Sequence, residues 1–277
     1  PSSGWKIEKV SDRKVRDEWK PLWGKRAVVE DHFNELVIDL VNPAGQPERM
    51  QLVVRGYNDG FAFCYKIPDG KGPCVNVQSE LTAYNFAGDY TAWFYNGENH
   101  NIGPEKLTET DGTRLPVMTV KAGDKHYMAI HEACLETGAP LVLQSKGGES
   151  LFSVASKPTS LSPGYTSAWR VVLYGTTPGV LTDSHLLELL NPDPDSRYDF
   201  SWVKPGLAVW DWRINGAVWD GFTYGMSYPS WVRMVDFAAE QGFKYLVLDA
   251  NWYGPEFESD SDPVKGEKAQ DVQRLLK

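Results

Sequence analysis

The sequence predicts a mainly β chain in two parts: a sandwich of short antiparallel strands over residues 1–203, then the first two βα units of a (β/α) barrel over 204–277. Three observations carry this. Apolar and polar residues alternate at period two between turn signals up to about residue 200. The cluster Asn191-Pro192-Asp193-Pro194-Asp195 then interrupts that pattern. Beyond Trp202-Val203-Lys204-Pro205 the order becomes strand, loop, helix, strand, loop, helix.

The elements follow in chain order. Asn34–Val41 places Leu36, Ile38 and Leu40 on one face, and a turn-rich stretch from Asn42 to Pro47 leads to Met50, Leu52 and Val54 at the same period. Asn58-Asp59-Gly60 is a strong hairpin signal, after which Phe61, Phe63, Tyr65 and Ile67 alternate again. Further strand-like runs are Tyr90–Tyr95, Leu115–Lys121, His126–His131, Leu141–Gln144, Leu151–Val154 and Trp169–Tyr174. In the second part, Leu207–Trp212 reads as a short apolar strand. Tyr228–Gln241 reads as a helix with Ser227 as N-cap, Gly242 past its end, and a stripe of Trp231, Met234, Val235 and Ala238. Lys244–Leu248 is apolar after its first residue, as a parallel strand covered on both faces should be, and Gln270–Leu276 opens another helix. Two βα units cannot bury their own faces, and a closed barrel needs about eight. The second part is therefore expected to open a larger domain, and the missing initial methionine suggests that the N-terminus has also been trimmed.

Composition narrows the partners. Lys+Arg number 28 against Asp+Glu 37, a formal charge of -9 that speaks against nucleic acid, whose phosphates need clustered cations. No stretch is apolar enough to span a membrane, and no signal peptide is visible. The three cysteines, Cys64, Cys74 and Cys134, are too few for a disulfide scaffold and read as small core or edge residues, with a Cys64–Cys74 pair as the lesser reading. Aromatics reach 13%, with 11 Trp and 13 Tyr. Most belong in a β-rich core, yet indoles also cover the apolar faces of sugar rings, and composition does not choose between these uses.

Parallel α/β folds present functional residues at the carboxyl ends of their strands. Two acids fall there, Asp211 after Leu207–Trp210 and Asp249 after Tyr245–Leu248. Trp210, Trp212, Asn251, Trp252 and Tyr253 surround them, so carboxylates suited to hydroxyl pairs stand beside stacking faces. The plainer reading is that both acids cap helices or pair with basic residues. His126 and His131 do not make a zinc site, because the adjacent Glu132 points to the opposite strand face. Glu105, in the polar loop Asn96–Glu105, reads as a solvated acid that is also compatible with a hard cation such as calcium. No phosphate loop, nucleophile elbow or paired-cysteine metal motif occurs.

Several segments together resemble glycoside hydrolase family 97. They are Trp19-Lys20-Pro21-Leu22-Trp23-Gly24, His32-Phe33-Asn34-Glu35-Leu36, Tyr57-Asn58-Asp59-Gly60 and Ile130-His131-Glu132-Ala133. Trp169-Arg170, Trp202-Val203-Lys204-Pro205-Gly206 and Leu246–Gly254 continue the series in family order. The resemblance implies an N-terminal β-super-sandwich, the start of a catalytic (β/α)8 barrel, and a periplasmic or secreted enzyme. It implies exo-acting cleavage of a terminal α-linked glucose or galactose from an oligosaccharide or α-glycoside. It further implies a Ca2+ ion to which Glu105 lends one oxygen, with Glu132 as the fallback. The catalytic carboxylates of the family would fall beyond Lys277, so none is assigned here. Two other readings stay open: a non-catalytic carbohydrate-binding sandwich, and a mutarotase-like sugar epimerase that would need a His and Glu pair such as His131 and Glu132, or His126.

Overall fold

The computed structural model describes residues 3–45, 47–70, 73–95, 97, 101–266 and 268–277. It divides into two compact units, Pro1–Tyr198 and Asp199–Lys277.

The first unit is a large antiparallel sheet system. It begins with β1 (Lys6–Trp19), β2 (Val29–Val41), β3 (Arg49–Tyr57) and β4 (Gly60–Lys66), a meander of long strands. Short strands follow: β5 (Val75–Val77), β6 (Ala83–Asn85), β7 (Thr91–Tyr95) and β8 (Ile102–Lys106). Next come β9 (Asp111–Lys121), β10 (Tyr127–Ala133), β11 (Leu143–Lys146), β12 (Leu151–Val154), β13 (Thr159–Leu161) and β14 (Trp169–Gly175). Two short helices close the unit, α1 (Pro178–Asp183) and α2 (Leu186–Leu189). The main sheet runs β1-β2-β3-β4-β14-β10-β9-β11-β12-β6, with β7 and β8 joined through β9, while β5 and β13 form a separate pair.

Strand β9 joins two layers. Its residues Asp111–Arg114 pair with β11, and Met118–Lys121 pair with β10. Period-two alternation then fills both sides of the central strands. Phe94, Met118, Val120 and Ile130 meet Leu143, Phe152 and Val154 in one core. Ala129, Val171 and Leu173 point the other way, into a second core with Val53, Ala62 and Cys64 that Leu186 and Leu190 cover. The hairpin signal at Asn58-Asp59 lies where expected, with Tyr57 paired to Gly60. A Cβ at Gly60 would stand 2.3 Å from the Val172 carbonyl, so this close crossing onto β14 requires glycine.

Strand β1 is absent from the sequence reading. Its run Lys-Ile-Glu-Lys-Val-Ser-Asp-Arg-Lys-Val-Arg-Asp-Glu-Trp carries charge on both faces and is almost wholly exposed. It is an edge strand, whose charges discourage further pairing rather than mark a buried face. The cysteines are all free, with Cys64 buried and Cys74 exposed.

The second unit holds β15 (Ala208–Trp210), α3 (Asp211–Ile214), the hairpin β16 (Val218–Trp219) and β17 (Phe222–Thr223), α4 (Tyr228–Gln241), β18 (Tyr245–Val247) and α5 (Ala269–Leu275). β15 and β18 are parallel, with Val209 opposite Leu246. Trp231, Met234 and Val272 form the core, with Leu246 and Leu248 against it. Helix α4 ends on Gly242 in the left-handed region at φ 71. Ser227 has the extended N-cap backbone, but its hydroxyl faces Ser230 Oγ at 3.4 Å and bonds no helix N–H. One expectation needs correcting. Val235 is 39% exposed, so the buried stripe is Trp231, Met234 and Ala238. In β18 Leu246 meets this unit's core, while Tyr245 and Val247 are 41% and 43% exposed. Among the described residues no helix is long and apolar enough to cross a membrane.

Candidate functional site

At the carboxyl ends of β15 and β18 the structure brings Asp211 and Asp249 together, in different roles. Asp211 opens α3 and is 1% exposed. Its Oδ2 accepts the Trp231 indole N–H at 2.9 Å, and its Oδ1 accepts the Asp249 backbone N–H at 2.9 Å. Both oxygens are thus used within the protein, bracing α4 against the strand ends. The Asp211 side chain, expected to contact substrate, is instead buried here and engaged by these two protein donors.

Asp249 is half-buried. Its Oδ2 accepts the Trp210 indole N–H at 2.6 Å and its Oδ1 accepts the Ala250 N–H at 2.8 Å. The Trp210 ring is held from another side by Arg213, whose guanidinium carbon lies 4.8 Å from the ring centroid. Trp210 and Trp212 are 36% and 51% exposed, so both indoles present area to solvent. Asn251 adopts φ 72 and accepts the Glu256 N–H on Oδ1 at 3.1 Å, which shapes the loop after β18. Trp252 instead packs against the core, edge-on to Tyr253 at 5.5 Å. The open group is therefore Trp210, Trp212, Asp249 and Asn251, a carboxylate and an amide beside flat apolar faces.

In the first unit Glu105 stands on β8 rather than in a loop, paired across from Ala92. Asn96, Glu98, Asn99 and His100 of the expected loop lie outside the described residues. The Glu105 side chain is 22% exposed. Its Oε1 accepts the Thr110 hydroxyl at 2.8 Å and faces Arg114 Nη2 at 3.3 Å, while Oε2 has no hydrogen bond among the described residues. Such an arrangement fixes the carboxylate and leaves one oxygen for a cation, so Glu105 fits the part of a single lent ligand. Among the described residues no group of three or more His, Cys, Asp or Glu is placed to hold a metal.

Glu132 does not fit that part. It is 8% exposed, accepts the Leu141 N–H at 2.5 Å and meets Arg170 at 3.3 Å. Arg170, 2% exposed, also bonds Glu80 through Nε at 3.0 Å and Nη2 at 2.6 Å. Burial pushes the Glu132 carboxyl above the usual range, although the Leu141 N–H and Arg170 oppose it. His131, its neighbour on β10, is driven below the ordinary imidazole value by burial, and His126 Nδ1 lies 2.7 Å from the Tyr174 hydroxyl. A second charged brace was not visible in the sequence. Glu35 receives Arg13 at 2.5 Å and Arg55 at 2.8 Å, and Arg55 lies over both Phe33 and Trp169. Burial raises the Glu35 carboxyl, but the two arginines outweigh it and the net direction is down.

Comparison with known proteins fits this geometry into a family. The model described as glycosyl-hydrolase 97 N-terminal matches residues 2–192. A retaining alpha-galactosidase of Bacteroides thetaiotaomicron is 27% identical over 286 aligned residues, which span 87% of this chain and 42% of that protein. A probable retaining alpha-galactosidase of Streptomyces bingchenggensis is 28% identical, over 91% of this chain and 39% of its own length. The chain thus spans about two-fifths of the curated relatives it matches. A glycoside hydrolase family 97 enzyme from Pseudoalteromonas sp. strain K8, solved with panose, superposes with a TM-score of 0.74 at 26% identity, covering 91% of this chain and 41% of that one. A beta-arabinopyranosidase with a TM-score of 0.76 at 19% identity, covering 98% of this chain and 45% of its own, shows the same fold. The chain belongs to glycoside hydrolase family 97 and carries the N-terminal domain of that family.

Proposed function

We propose that the intact protein is an exo-acting α-glycosidase that releases a terminal α-linked glucose or galactose from an oligosaccharide, in the periplasm or outside the cell. The family match over residues 2–192, with relatives named α-galactosidases, is the observation that carries this reading. In it the second unit is the opening of a (β/α)8 barrel, and the acids that break the bond lie beyond Lys277. The residues of this chain hold and orient the sugar. Trp210 and Trp212 cover its apolar ring face, Asp249 and Asn251 bond its hydroxyls, and Asp211 fixes Asp249 from behind. Trp252 supports the same loop from the core side. Glu105 supplies one oxygen to a Ca2+ ion, which when bound would polarise or position the leaving group.

The test is hydrolysis of nitrophenyl α-galactoside and α-glucoside by the intact protein. Release of hexose that falls with excess EDTA, returns with Ca2+ and is weakened by Glu105→Ala is expected. Hydrolysis indifferent to EDTA and to Glu105→Ala would remove calcium from the proposal. Saturable sugar binding with no hydrolysis would favour a binding module, and catalysed anomer exchange would favour an epimerase.

A further inference from the structure

Helices α1 and α2 pack on the sheet beside the start of β2 and the end of β3. A cleft of ≈ 510 Å³ opens there, wholly within the first unit, between Val29, His32, Tyr57, Asn58, Asp59 and His185. That volume falls within the ~300–1,000 Å³ usual for small-ligand sites. One wall is fastened, since Lys25 donates to the Thr182 carbonyl and Arg26 pairs with Asp183 at the end of α1. None of the residues assigned to sugar handling above lines it.

The cleft gathers unpaired polar atoms. His185 is 8% exposed, yet neither ring nitrogen makes a hydrogen bond. The Glu188 Oε1 carboxylate oxygen is 3.5 Å from its Nδ1, and Trp19 meets its ring edge-on at 6.3 Å. The Tyr57 hydroxyl is buried against the Asp31 carboxylate and Arg55, close enough to interact with both but outside good hydrogen-bond geometry. Among the described residues five buried side-chain atoms lack a partner, and three of them belong to His185 and Tyr57. Buried polar groups are nearly always satisfied, so His185 and Tyr57, both lining this cleft, point to a partner that is not protein.

The lining selects its chemistry. Asp59 and Glu30 disfavour an anion, and Arg26 is already paired. No set of three metal-ligating side chains converges among the described residues, which speaks against a metal ion. Imidazole nitrogens can each meet a hydroxyl, which both donates and accepts. Carboxylate and amide at Asp59 and Asn58 suit further hydroxyls, while Val29, Val180 and Leu189 offer apolar wall to a ring's C–H face. We propose that this cleft is a second, non-catalytic site for a neutral pyranose-sized sugar, seated against His185 and Tyr57.

The experiment titrates the intact protein, carrying Trp210→Ala to weaken binding in the other unit, with D-galactose, D-glucose and myo-inositol. Calorimetry reads affinity, and NMR reads the His185 ring signals. The expected result is saturable binding of at least one probe that shifts the His185 signals and weakens at least tenfold in His185→Phe. Phenylalanine retains the ring against Trp19 and removes both nitrogens. Should that variant fail to fold by circular dichroism, Asn58→Ala, at the exposed lip, is judged by the same criterion. Absence of binding by all three probes, unmoved His185 signals, or unchanged affinity in the variant would each overturn the proposal.

Discussion

Carboxylates are used differently in the two units. In the sandwich, Glu35 lies between Arg13 and Arg55, and Glu132 shares Arg170 with Glu80, so acids and arginines lock strands that are far apart in the chain. In the second unit Asp211 is as deeply buried as any of these, but its partners are an indole N–H and a backbone N–H, with no cation. Asp249, held by Asp211 and by Trp210, remains half-open beside exposed indoles. Charge matched by charge makes a rigid support. Asp249, half-exposed and steadied by neutral donors, keeps carboxylate surface open to a neutral ligand with hydroxyl groups.

The largest effect that would break this contrast is at Arg170. Its replacement by Met leaves Glu80 and Glu132 without their cation, which should cost about 3–5 kcal/mol in urea unfolding. A loss below about 1 kcal/mol would mean that the network is decoration. Asp211→Ala removes one acceptor from Trp231 and one from the Asp249 N–H. It should lower the stability of the second unit by about 1–3 kcal/mol and speed hydrogen exchange at the Asp249 amide, with the sandwich unaffected.

Acid titration separates the two sandwich braces. The Glu35 carboxyl is held below its ordinary value, so its contribution is present above the unfolded pKa of about 4.3 and is lost as pH falls through the lower folded value. Wild type should therefore lose stability on acidification below about pH 5 more steeply than Glu35→Gln. Glu132 runs the opposite way. Its carboxyl is raised, so its contribution is full below the unfolded value and declines as pH rises through the folded one. Parallel pH profiles for wild type and Glu35→Gln would show that the triad adds nothing. The smallest effect belongs to Trp212→Ala, which should change stability by no more than about 0.5 kcal/mol because the ring is 51% exposed.

The legible parts of the fold were those whose cause is local. Tyr228–Gln241 carries its own start and stop signals, and Leu151–Val154 its own alternation, and both elements occur within those bounds. The Asn58-Asp59-Gly60 turn dictates its hairpin from three residues. Strand β1 was illegible because its pattern answers to an edge rather than a core. The charged braces were illegible for another reason: Arg170 and Glu80 are 90 residues apart, and no period links them. At the candidate site, position at a strand end found Asp211 and Asp249. It could not say that Asp211 turns inward to Trp231, which depends on where α4 docks. Glu105 read as a loop acid because the glycine and proline before it mask the short strand it occupies.

The sugar is expected to meet this chain at the exposed indoles and carboxylate beside the ends of β15 and β18. Michaelis constants of the intact protein for a nitrophenyl α-hexoside should be measured for wild type, Trp210→Ala and Asp249→Asn. Both variants are expected to raise KM about tenfold, roughly 1.4 kcal/mol, with kcat altered only a few-fold. An unchanged KM in both would contradict the placement of the sugar at the carboxyl ends of β15 and β18.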